Sequence, residues 1–270
     1  MAEPREQLIQ ANEQVSFAVK IAGQGEPVVY LHGAGGLVWD PFLAELSDRY
    51  QVYAPHLPGT GQSSGLESIR DLWDLILCYY DLFDALGLES ATVIGHSLGG
   101  MIALELAATD QSRVKKIVAL APAGLFREEE PVPDMFAMLP HELAAMMVAD
   151  PASPVAERLR YMPTQTEERI EMTIHQMQNM QAAAKFLWPI PDKGLKRRLH
   201  RIKAPTLLIW GKQDRFMPVS YAGEFQRRIT GSELELIDQA AHLVPLEQTE
   251  QVVAAIARFL SVQARVDARG

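Results

Sequence analysis

The stretch Ala91-Thr92-Val93-Ile94-Gly95-His96-Ser97-Leu98-Gly99-Gly100-Met101-Ile102 decides how this chain is read. Ala91 to Ile94 is a short apolar run with β-branched members, the pattern of a buried strand. Leu98 to Ala108 is rich in good helix formers, with Gly99 and Gly100 in its first turn. The five residues Gly95 to Gly99 match G-x-S-x-G, a pattern short enough to recur by chance. Its setting is far more specific: it predicts a strand, a sharp turn and a helix, with Ser97 at the apex. Such a turn strains the apical backbone and needs small neighbours, which Gly95 and Gly99 supply.

A serine hydroxyl is a poor nucleophile at neutral pH. The reading therefore needs a base, a group that orients the base, and donors for a developing oxyanion. Of the seven histidines, only His242 follows the last strand-like run, Leu234 to Ile237, and it is the expected base. Thr206-Leu207-Leu208-Ile209-Trp210 runs into Gly211-Lys212-Gln213-Asp214, which places Asp214 at a strand end as the orienting acid. Asp238 competes for that role. It lies only four residues before His242 on the same strand end, where reaching the far ring nitrogen is awkward. Val28 to Leu31 opens into His32-Gly33-Ala34-Gly35-Gly36, whose glycines let backbone amides approach a ligand. The N–H groups of Ala34 and Leu98 are the expected oxyanion donors, with Gly33 and Gly35 bordering the substrate. His32 and His96 flank this region and are read as structural hydrogen-bonding groups. Each assignment has a bland alternative as a turn, loop or packing residue; jointly the alternatives require several coincidences.

With oxyanion loop, serine, acid and histidine in this order, the chain resembles the α/β-hydrolase superfamily over nearly its whole length. The order Ser, Asp, His matches that fold and neither of the other familiar serine-triad orders. Leu57-Pro58-Gly59-Thr60-Gly61-Gln62-Ser63 looks like the family's loop after its fourth strand, and Pro205-Thr206 like the lead into the strand before the acid. Two positions depart from the pattern: His56 stands where relatives often carry Asp, and Ala241 where Gly often precedes the histidine. The resemblance implies a hydrolase that needs no cofactor and no metal, acting through a Ser97 acyl-enzyme on a small to medium, largely apolar carboxylic ester. The alternative within the superfamily is carbon–carbon bond hydrolysis of the meta-cleavage-product type. Those relatives usually place a tryptophan directly after the histidine, where Leu243 stands here as a candidate substrate contact. They also carry a cap arginine for the substrate carboxylate, a role open to Arg158, Arg160 and Arg169 alike. Haloalkane dehalogenases and soluble epoxide hydrolases need a carboxylate nucleophile, which Ser97 is not. A reading from another class is a ligand-binding receptor on a hydrolase scaffold, distinguished by single-turnover kinetics.

Composition sets outer limits. The 270 residues carry a formal net charge of −9 and no basic stripe, which argues against nucleic acid or an anionic membrane as partner. A small-molecule substrate is the expected partner, and a homodimer is compatible with the chain. The segment Lys193 to Lys203 is locally basic and reads as the solvated face of a short helix. The single cysteine, Cys78, excludes an intramolecular disulfide and a CxxC metal pair, and is expected in the core. Neither a signal-peptide apolar region after Met1 nor an apolar run of about 18 residues occurs, so the cytoplasm is the expected location.

Strand candidates at 16–21, 28–31, 51–54, 91–95, 114–120, 205–210 and 234–237 alternate with helical patterns. One helix is expected from a capping box at Ser68 and Asp71, with Ile69, Leu72, Trp73, Ile76, Tyr79, Tyr80 and Phe83 at core spacing. Others begin near Pro218 and Pro245. The implied architecture is α/β: an α/β-hydrolase fold with a mostly parallel, doubly wound sheet and an inserted helical cap. Residues 1–122 and 204–270 would form the core and 123–203 the cap, where strand signals vanish and eight of eleven methionines cluster between Met135 and Met180. The methionines fill gaps in a small helical layer, and any that face the site would make a pliable wall. Trp188, near the return to the core, either faces the pocket or packs at the cap–core seam.

Overall fold

The computed structural model describes residues 3–190 and 192–267, with side chains as far as residue 261. Among these, eight strands form one sheet: β1 (Arg5–Gln10), β2 (Ser16–Ala22), β3 (Pro27–Leu31), β4 (Gln51–Pro55), β5 (Ala91–His96), β6 (Val114–Leu120), β7 (Thr206–Gly211) and β8 (Glu233–Ile237). Their order is β1-β2-β4-β3-β5-β6-β7-β8, antiparallel at β1/β2 and β2/β4 and parallel from β4 onward. The central strands are apolar because helices cover both faces. On one side Val29, Val93, Ile117 and Leu208 face α2 (Leu72–Ala85), α3 (Leu98–Thr109) and α7 (Ser220–Arg228). On the other, Val28, Ile94, Val118 and Ile209 face α1 (Pro41–Ser47) and α9 (Thr249–Asp267). The expected mostly parallel, doubly wound sheet is present. No helix of the described residues is long and apolar enough to cross a membrane.

β1 was not expected. Its sequence, Arg-Glu-Gln-Leu-Ile-Gln, carries no apolar face because it is an exposed edge strand held by pairing with β2. The capping box at Ser68 is also corrected. Asp71 is the N-cap of α2, accepting from Asp74 N at 3.0 Å, while Ser68 Oγ donates to Gly65 O at 2.7 Å. Trp73 is exposed, because at about 3.6 residues per turn it lies nearly half a turn from the buried Leu75 and Leu82. Cys78 is buried as expected.

Between β6 and β7 the described residues form only helices: α4 (Pro140–Met147), α5 (Pro154–Arg160), α6 (Thr166–Leu187) and two single 3₁₀ turns, Leu195–Arg197 and Leu199–Arg201. The 3₁₀ turns pack on α3, with Leu195 and Leu199 fully buried in the main core. The basic segment is, as expected, largely the solvated face of short helical turns, with Lys196, Arg197, His200, Arg201 and Lys203 exposed. Two of its arginines also reach back to α3. Arg198 makes two hydrogen bonds, of 2.7 and 2.6 Å, to the buried Glu105 of α3, and Arg201 Nε donates to Ala108 O at 2.9 Å.

Candidate active site

β5 ends at His96 and α3 begins at Leu98, so one residue makes the whole turn. Ser97 adopts φ 53° and ψ −114°, a backbone that L-residues rarely occupy and that costs about 1–3 kcal/mol. Its peptide is held from three directions. Ser97 N donates to Leu120 O at 2.9 Å, and Ser97 O accepts from Met101 N and Ala123 N, both at 3.0 Å. The flanking glycines work by close approach: a Cβ on Gly95 would strike the Gly99 carbonyl, and one on Gly99 the Leu31 carbonyl.

His242, in the loop after β8, is buried beside this turn. Its Nδ1 lies 3.0 Å from Asp214 Oδ2, with the two side chains 3% and 0% exposed. Asp214 Oδ1 accepts from Phe216 N at 2.9 Å and Met217 N at 2.7 Å, so both carboxylate oxygens are committed and the group cannot turn away. The Phe216 ring packs edge-on to the imidazole, with centroids 4.9 Å apart. Asp238, the competing acid, is on the surface with Lys212 Nζ at 2.9 Å. With Nδ1 engaged, Nε2 of His242 is the nitrogen left for chemistry. Among the described residues no hydrogen bond joins it to Ser97 Oγ, an arrangement common before substrate binds.

The two flanking histidines carry structural duties. Leu57 N donates to His32 Nε2 at 3.0 Å, which requires a lone pair there; Nδ1 therefore bears the proton and donates to Gly33 O at 2.7 Å. His32 so bolts the Gly33–Gly36 loop to the loop after β4. His96 Nε2 lies 2.8 Å from His242 O and holds the histidine loop against β5. Burial lowers His32 to about 4 and His96 to about 3, so both are neutral at pH 7. His56 lies 3.5 Å from Glu6 of β1, but burial lowers it to about 4 as well, so this contact is not an ion pair at neutral pH.

The N–H groups of Ala34 and Leu98 donate to no other protein group among the described residues, Leu98 because it opens α3. Gly33 lies against the elbow: a Cβ there would stand 3.4 Å from Ser97 Cβ. Gly35 is exposed on the loop's outer side, where its carbonyl accepts from Asn179 of α6 at 2.9 Å.

A cavity of about 40 Å³ opens at Ser97, walled by Met101, Leu125, Met135, Leu187, Phe216 and Met217 among others. Apart from Ser97, Lys193 is the polar residue of the lining, its Nζ donating to Trp188 O at 2.6 Å. Lys193 had passed for part of a basic surface; only the chain's path after α6 turns it toward the site. Two residues expected at the substrate do not line this cavity. Trp188 caps α6, is 52% exposed and stands edge-on to Phe136, outside the lining, while its neighbour Leu187 turns inward. Leu243 is also outside the lining and donates through its backbone N to Met147 O at 3.0 Å. Of the clustered methionines Met135 alone borders this cavity; Met162 and Met177 are exposed, and Met101 and Met217 come from the core. A larger cavity, about 710 Å³, lies elsewhere, between α5 and the residues around Gln213 and Glu247.

The model of the alpha/beta hydrolase family matches residues 28–255. The chain is 28% identical to a 2-hydroxy-6-oxo-6-phenylhexa-2,4-dienoate hydrolase of Comamonas testosteroni, over 85% of this chain and 86% of the relative. It is 25% identical to a pimeloyl-[acyl-carrier protein] methyl ester esterase of Aliivibrio salmonicida, over 88% of this chain and 93% of the relative. Among solved structures, the 2-hydroxy-6-oxo-6-phenylhexa-2,4-dienoate hydrolase of Rhodococcus sp. strain RHA1 superimposes with a TM-score of 0.77 at 22% identity, covering 97% of this chain and all of that one. The strand order, the serine at a strained strand–helix turn and the match over residues 28–255 converge: the chain belongs to the alpha/beta hydrolase family and is a hydrolase.

Proposed function

We propose that the protein is a serine hydrolase in which Ser97, His242 and Asp214 form the catalytic triad beneath a helical cap. The observation that carries this reading is the buried hydrogen bond from His242 Nδ1 to a fully engaged Asp214, beside the elbow serine Ser97. Ser97 Oγ attacks the substrate carbonyl carbon as His242 Nε2 takes its proton. The carbonyl oxygen becomes an oxyanion held by the N–H groups of Ala34 and Leu98, and Asp214 stabilises the imidazolium. Collapse expels the leaving group, which receives the proton from His242. Water, activated by the same nitrogen, then frees Ser97. The favoured substrate is a small to medium carboxylic ester with a largely apolar acyl group, in keeping with the apolar lining.

A second reading, carbon–carbon hydrolysis of a vinylogous diketone acid, is favoured by one observation. Lys193 is the one ionisable residue of the lining; its ammonium, held on the Trp188 carbonyl at 2.6 Å, would turn inward to meet an acid-bearing substrate, which a neutral ester would not require. The relative at 28% identity is a hydrolase of such a compound by name. The test is a set of p-nitrophenyl esters of graded chain length beside one meta-cleavage dienoate, with fluorophosphonate labelling of wild type and Ser97→Ala. Labelling at Ser97 and ester turnover support the main reading, and dienoate turnover alone supports the second. Labelling that persists in Ser97→Ala overturns both.

A further inference from the structure

The insertion is fastened to the core at a telling place. α4 buries no side chain fully and α5 only Ala156; Leu143, Met146 and Met147 are half-buried against the core and Val148 on the link is buried, so this part of the insertion is seated by modest apolar packing. Polar ties add to this packing, and their core ends sit beside the acid and the histidine. Arg215, next to Asp214, donates through Nη2 to the carbonyls of Ala145 and Val148. Leu243, next to His242, donates from its backbone N to Met147 O. The third tie is a carboxylate. Glu247 Oε1 accepts from Ala149 N at 2.7 Å, on the α4–α5 link, and Glu247 Oε2 accepts from Ala241 N at 2.7 Å, on the other side of His242.

We propose that Glu247 is a positioning residue that sets the placement of His242 through Ala241 and makes it depend on the seating of the α4–α5 link through Ala149. The inference rests on the reading of His242 as the base. Each oxygen serves one N–H donor, so the ionised form makes both bonds most strongly. Burial works against that form, and the two N–H groups favour it. The charged groups around Glu247 are Asp214 and Asp150, which repel it, and Arg158 across the cavity of about 710 Å³ that separates α5 from the histidine loop. That open space on one side leaves the carboxylate and the Leu243–Met147 backbone bond as the direct bridges between link and loop. A cap that lifts to admit substrate would break the Ala149 bond and loosen the base; a cap that settles would restore it. Binding and the readiness of the base are thereby coupled.

The experiment compares wild type with Glu247→Gln and Glu247→Asp, using a short p-nitrophenyl ester, fluorophosphonate inactivation and thermal melting. Glu247→Gln keeps the shape but turns an amide group toward one of the two donors. It is expected to lower kcat and the inactivation rate together by about 10–100-fold while KM changes less than about threefold. Loss of a negative charge near the Asp214–His242 pair should also move the acid limb of the pH profile of kcat/KM to lower pH. Glu247→Asp keeps the charge and loses the span, so the acid limb should stay in place while kcat remains low. A folded Glu247→Gln enzyme with wild-type kcat overturns the proposal. So does a fall in melting temperature with an unmoved pH profile, which a merely structural residue would give. If wild type itself is not labelled at Ser97, the reading of the base fails first, and this inference falls with it.

Discussion

The elbow at Ser97 and the α4–α5 segment, tied to the loops that carry Asp214 and His242, are built on opposite principles. At the elbow every group is fixed from several sides: Ser97 through three backbone hydrogen bonds, Asp214 through three donors, and His96 against the His242 carbonyl. The α4–α5 segment has mostly half-buried apolar contacts and a few polar ties. Farther along the insertion, α6 shows solvent Ile170, Ile174 and Met177, all about half or more exposed. A strained residue persists only where its surroundings over-determine it, so the proposed chemistry sits in the first region. A segment that is to move as substrate enters needs the looseness of the second.

The largest effect expected on the fixed side is from Asp214→Asn. It should leave melting nearly unchanged and lower kcat about 10⁴-fold, because an amide donor mis-sets the tautomer of His242. Asp238→Asn should be silent, and a larger loss there in steady-state assays would exchange the two acids. Next in size is Gly99→Ala, whose Cβ would meet the Leu31 carbonyl; a backbone cannot yield cheaply, and a loss of about 3 kcal/mol or more in denaturant unfolding is expected. Ile174→Ser on α6 should change stability by no more than about 0.5 kcal/mol. Similar losses from both would erase the contrast between the regions.

Acid should act on the fixed side as well. His32 and His96 are held neutral in the fold, at about 4 and about 3, whereas unfolded histidine titrates near 6.5. Between these values the unfolded chain binds more protons, so stability falls as the pH drops below about 6.5. Each histidine contributes up to about 1.4 kcal/mol per pH unit. Their ring-proton NMR signals should stay unshifted from pH 8 to pH 5, and titration near 6.5 would contradict the structural roles given to them. The smallest effect belongs to the insertion: Lys193→Met should lower kcat/KM for an acid-ended ester about tenfold relative to a neutral ester of equal length. An unchanged ratio would remove Lys193 from substrate recognition and sharpen the case for an uncharged acyl group.

How much of this was legible in the sequence depended on how local the signal was. Gly95-His96-Ser97-Leu98-Gly99 announces its turn because a one-residue reversal needs glycines on both sides, and Asp214 and His242 follow from strand ends that apolar runs delimit. β1 escaped because an edge strand needs no apolar face, and α1 because its start signal, Asp40 as N-cap before Pro41, stands in a short segment. Trp188 and Leu187 are adjacent, and which one turns inward is set by where α6 ends against the core. Nothing in the spacing of Glu247 or Lys193 singles them out, since their partners are 98 residues away in one case and a looped-back carbonyl in the other.

By itself, then, the sequence determined the alternation of strands and helices, the elbow and the order of serine, acid and histidine, because these rest on backbone sterics and apolar periodicity within a few residues. Only the tertiary structure decided which insertion residues wall the cavity and which carboxylate ties the insertion to the histidine loop. Those outcomes depend on distances between segments far apart in the chain, and packing rather than local preference sets such distances.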